Sequence, residues 1–79
     1  MIFLIEYDRR RGRIISFKRF VDSDRQTAAD ARLRMELDLN KRGTDHEVVL
    51  LEASSEEALR RTHRRYFENP GQIVKSTGT

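Results

Sequence analysis

The chain opens on Met1-Ile2-Phe3-Leu4-Ile5-Glu6-Tyr7, its longest near-continuous apolar run, rich in β-branched and aromatic side chains. A run of this kind suits a strand covered on at least part of both faces. It reads as the central strand of a small sheet, and the rest of the chain is arranged around it.

At 79 residues there is room for one domain. A chain this short hides only about 60% of its unfolded surface, so its stability margin is thin. Small domains often widen that margin with disulfides, a metal or a partner subunit. There is no Cys, which removes disulfides and fits a reducing compartment. Metal ligands are sparse, so self-association is the expected supplement.

Residues 1 to 21 read as a β-hairpin. The first strand ends near Tyr7 or Asp8, and the second runs from about Arg13 to Phe20. Between them lies Asp8-Arg9-Arg10-Arg11-Gly12, where a Gly near the loop's end supplies a positive φ at no steric cost. Side-chain facing sets the register. Phe3 opposite Phe17 and Ile5 opposite Ile15 puts four apolar residues on one face, and the two-residue neighbour of this pairing keeps the same sorting.

Residues 23 to 42 read as the first helix, with Ser23 and Gln26 as a capping box and Gly43 as its end. Its apolar residues form two stripes, Ala28-Ala31-Met35-Leu39 and Ala29-Leu33-Leu37. One is expected on the sheet, and part of the other is expected elsewhere. Residues 46 to 53 read as the third strand. Residues 55 to 68 read as the second helix, opened by Ser54 and Glu57 and stopped by Asn69-Pro70-Gly71. The domain spans 1–70, and 71–79 is a polar tail in which Ile73 and Val74 offer an optional edge strand.

The fold class that follows is α+β, a two-layer ββαβα sandwich. Its three-stranded antiparallel sheet has the order 2-1-3, and both helices lie on the Phe3/Ile5/Ile15/Phe17 face. That arrangement leaves Ile2, Leu4, Ile14, Phe20, Val48 and Leu50 as an apolar contact surface for a second copy or a protein partner.

Catalytic chemistry finds little footing. His46 and His63 are the two histidines, and no His, Cys or carboxylate spacing matches a metal loop. No phosphate-binding glycine loop occurs, so no cofactor is expected. Ser23, Ser54 and Ser55 are accounted for by helix starts. His63, on the apolar side of the second helix, is the one candidate for a small hydrolase or nuclease, and it has no evident acid partner. His46 reads as a solvated loop residue.

Two basic clusters remain. Arg9, Arg10, Arg11 and Arg13 sit at the hairpin tip, and Arg60, Arg61, Arg64 and Arg65 sit on the outer side of the second helix. Together with a formal net charge of +3, they are permissive for an RNA or DNA backbone. The N-terminal run lacks a basic leader and a cleavage site, and no apolar run is long enough for a membrane span, so a cytoplasmic location is expected. The leading expectation is a non-catalytic module that self-associates or binds a protein, through the sheet face or the second stripe of the first helix. Nucleic-acid binding is the alternative.

Overall fold

The structure, a computed structural model, describes residues 1–67. The expected tail at 71–79 and the optional strand at Ile73 and Val74 lie outside these residues. Strands β1 (Ile2–Asp8), β2 (Arg13–Phe20) and β3 (Glu47–Glu52) form one antiparallel sheet in the order β2-β1-β3. Helix α1 (Arg25–Arg42) connects β2 to β3, and α2 (Glu56–Thr62) follows β3. Short 3-10 turns at Asp22–Asp24 and Arg64–Tyr66 complete the path. The α+β class, the strand order and the number of helices are those expected from the sequence.

The layering differs from the two-layer expectation. Every residue of β1 is buried. Phe3, Ile5 and Tyr7 form the core on one face with Leu59 of α2 and with Tyr66. The other face carries Ile2 and Leu4, which retain only 2% and 0% of their surface, and α1, which packs against β1 and β3, covers them. Its placement there follows from Glu52, which lies opposite Ile2 and is ion-paired with Arg25 at the start of α1. Near the other end of the helix, Leu39 and Asn40 share a hollow with Val48, the residue opposite Glu6. The helices therefore lie on opposite faces of the sheet. The physical cause is β1 itself: both of its side-chain sets are apolar, and leaving either in water would forfeit about 25 cal/mol per Å².

The β1–β2 register is the two-residue neighbour, with Ile5 opposite Phe17 and Phe3 opposite Arg19. The Phe3 and Phe17 rings still meet, at a centroid distance of 5.7 Å. A bulge between Glu6 and Tyr7 then places Ile14 opposite Tyr7. Ile14 packs on the core, whereas Ile15, expected to face inward, is 44% exposed. The extra residue in β2 exchanges one isoleucine for the next.

The caps also shift. Ser23 falls within the first 3-10 turn, and Asp24, which precedes α1, makes no side-chain capping bond. Gly43, at φ 66°, ends α1 as expected, and the Thr44 amide donates to the Leu39 carbonyl at 3.0 Å. The cap of α2 is Ser55, not Ser54, and its hydroxyl accepts from the Ala58 amide at 3.1 Å. The second helix is shorter than expected, with His63 as its terminal cap.

Candidate nucleic-acid interface

The sheet has two ends of different character. The β1–β2 loop, the start of β3 and the last turn of α1 share one end. The loop is closed by the Gly12 amide donating to the Asp8 carbonyl at 2.8 Å, with Gly12 at φ 65°. Asp8 Oδ1 accepts from the amides of Arg10 and Arg11, at 3.0 and 3.2 Å. These amide bonds, the Arg11 one first, hold the Asp8 carboxyl below its usual range, with help from His46 and the Arg11 guanidinium. A buried side chain thus fixes a loop whose own arginines are exposed.

Tyr66 brings the second arginine cluster toward this end. Its ring meets Tyr7 edge to face at 5.1 Å, and its hydroxyl donates to Glu47 Oε2 at 2.6 Å. Glu47 is paired with Tyr7 in the last rung of the β1–β3 ladder. The Tyr7 hydroxyl donates to the Arg65 carbonyl at 3.2 Å, so Arg64 and Arg65 arrive beside the hairpin end. Burial, then the Glu47 hydrogen bond, raises the Tyr66 phenol above its usual range. Lys41 and Arg42, in the last turn of α1, stand at the same end, where they also answer the helix's negative pole.

Arg60 and Arg61 do not join this group. Arg60 bonds Glu56 through two nitrogens, at 3.1 and 2.9 Å, and lies over the Phe67 ring. Glu56 in turn lies 3.8 Å from Arg19, toward the far end of the sheet. Arg61 pairs with Glu57 at 2.8 Å.

The hairpin end is mixed in charge. Arg9 pairs with Asp45 at 3.2 Å, Arg11 lies 3.7 Å from Asp8, and Arg65 bonds Glu47 at 2.5 Å. Arg10 and Arg13 are exposed and make no ion pair among the described residues. At the opposite end Asp22, Glu52, Glu56 and Glu57 are matched by the N-terminal amine, Arg25, Arg60 and Arg61, so charge is nearly balanced there and the excess positive charge lies toward the hairpin. Tyr7 and Tyr66 are buried, and Phe17 and Phe67 are half-buried, so this end offers no aromatic platform for bases among the described residues.

A polar cluster beneath the loop escaped the sequence reading. His46 Nδ1 lies 2.6 Å from Glu6 Oε2, and Nε2 lies 3.7 Å from Asp8 Oδ2. His46 is half-buried, not a solvated loop residue. Its place follows from the β1–β3 register: with Leu4 opposite Leu50, Asp8 stands beside His46. A hollow of about 310 Å³ above it is lined by Asp8, Arg10, Arg11, Thr44, Asp45 and His46. No group of three such side chains among the described residues is arranged to hold a metal ion. His63 is half-buried and has no carboxylate partner among the described residues.

The expected sheet-face contact surface is not available. Ile2 and Leu4 are buried under α1, and Ile14 packs on the opposite face, against the core around Tyr7. Phe20, Val48 and Leu50 are half-buried. The second stripe of α1, by contrast, stays open: Leu33 and Leu37 are 56% and 55% exposed.

No protein-family model, curated protein or solved structure matches the chain. Among the described residues, no helix is long and apolar enough to cross a membrane.

Proposed function

We propose that the protein binds the phosphate backbone of nucleic acid through its hairpin end, without reading base sequence. The observation that carries this reading is convergence. The loop arginines Arg9, Arg10, Arg11 and Arg13 lie more than 50 positions from Arg64 and Arg65 in the chain, yet they share one end of the sheet with Lys41 and Arg42. The acids at the other end are balanced by their own paired cations, so the excess positive charge at the hairpin would orient this end toward a polyanion. Arginine suits phosphate because its planar donors match two oxygens at once. The aromatic rings at this end, Tyr7 and Tyr66, are buried, which favours phosphate contacts over base contacts.

Arg10 and Arg13 contribute most in this reading, because phosphate engages them without displacing a carboxylate. Arg9, Arg11, Arg42 and Arg65 would exchange a partner, which lowers their net gain. Binding is therefore weak and strongly salt-dependent, with Kd about 10⁻⁴–10⁻⁶ M near physiological salt. Fluorescence anisotropy on a mixed-sequence duplex, titrated at several salt concentrations, tests it. Arg10→Glu/Arg13→Glu should weaken binding by about 10-fold or more at low salt, in keeping with the salt-linked cost of lost phosphate contacts. Arg60→Glu/Arg61→Glu should weaken it far less. No binding by the unaltered protein at low salt ends the proposal.

A further inference from the structure

The open stripe of α1 carries an independent inference. We infer that two copies of this chain associate through α1, antiparallel, about a two-fold axis passing beside Met35.

The argument starts from position on the helix. At about 100° per residue, Leu33 and Leu37 lie symmetrically about the direction opposite Met35. Met35 is half-buried toward the sheet, and Ala28 and Leu39 on the same side are buried, so the two leucines point outward. Both keep more than half their surface, while the companion stripe is consumed by the sheet. An antiparallel two-fold pairing centred at Met35 sets Leu33 of one copy against Leu37 of the other, twice. An isologous contact of this kind needs a self-complementary surface.

Charge supplies the second half of the argument and selects the occupant. A two-fold axis of this type lays each flank of the helix against the same flank of its copy. Asp30 and Lys41 occupy one flank, Asp30 five residues before Met35 and Lys41 six after it. Across the axis they differ in height by one residue, about 1.5 Å, so Asp30 of each copy stands beside Lys41 of the other. Among the described residues Lys41 makes no ion pair and the Asp30 side chain accepts only from Gln26 on its own helix, at 3.0 Å. Arg34 meets its own copy at the outer margin, which opposes association. Glu36 does the same on the other flank, but it is already engaged by Arg32 at 3.5 Å.

The contact is modest. An 18-residue helix spans about 27 Å, and one helix face is smaller than the roughly 800 Å² per partner of a standard interface. The expected dimer is therefore weak, forming across the micromolar range. Sedimentation equilibrium from about 10 µM to about 1 mM measures it directly. The apparent mass should rise from 9.3 kDa toward twice that value. Leu33→Glu/Leu37→Glu should hold the chain as a monomer with an unchanged circular dichroism spectrum, because both positions are exposed. Asp30→Lys and Lys41→Asp should each weaken the dimer several-fold, and the two together should restore it. A chain that stays monomeric at 1 mM overturns the inference, as does a dimer indifferent to the leucine pair. Failure of the combined charge exchange to restore association overturns the antiparallel arrangement.

Discussion

The Tyr7 and Tyr66 rings meet edge to face at 5.1 Å, and that contact fixes where the chain after α2 comes to rest. Tyr7 belongs to the buried strand, and Tyr66 to the turn that carries Arg64 and Arg65. Glu47 reinforces the arrangement by accepting from the Tyr66 hydroxyl at 2.6 Å and from Arg65 at 2.5 Å. One aromatic pair and one carboxylate thus join the third strand, the central strand and the second basic cluster.

Removing only the hydroxyl tests that junction. Tyr66→Phe keeps the ring contact and deletes a hydrogen bond to a charged acceptor, a loss of about 1.5–3 kcal/mol. Tyr66→Ala also removes the ring from the core and should cost about 3–5 kcal/mol. Urea unfolding of the two variants measures both. Equal losses would mean that the ring contact contributes nothing.

Asp8 predicts a component of acid sensitivity. Its carboxyl is held below the ordinary range in the folded protein, so the charged form is favoured by folding. The resulting stability is fully present above the unfolded carboxyl value, about 3.9, and is lost as pH falls through the lower folded value. Asp8→Asn should flatten the dependence of stability on pH within that acidic window. Denaturant titrations at several acidic pH values read this out, and an unchanged slope contradicts the role assigned to Asp8.

Much of the architecture was legible because the signals were local and redundant. The apolar run of β1 marked a central strand, Gly12 and Gly43 marked the positive-φ turns, and the order 2-1-3 followed from placing the most apolar strand in the middle. The layering departs from the two-layer expectation, although the same run calls for cover on both faces. Ile2 and Leu4 are buried because the inner stripe of α1 covers the face that the two-layer arrangement leaves open. The bulge at Glu6/Tyr7 was not legible, because Ile14 and Ile15 are chemically interchangeable and only the geometry near the loop chooses between them. At the candidate site, the arginines were visible as two separate clusters. Their convergence depended on Tyr66 reaching Glu47, a contact between residues nearly 20 positions apart that no local pattern announces. The division of Arg60 and Arg61 from Arg64 and Arg65 arose because the helix ends at His63 and does not continue through them.

Both the loss of the sheet-face surface and the gathering of the arginines rest on the two helices covering opposite sides of β1. A side-chain nuclear Overhauser spectrum of the methyl and aromatic protons tests this most directly. The account predicts contacts from Ile2 and Leu4 to α1 side chains, contacts from Phe3 and Ile5 to Leu59, and contacts from Tyr7 to Tyr66. Contacts from Phe3 or Ile5 to α1, with Ile2 and Leu4 touching neither helix, would contradict it.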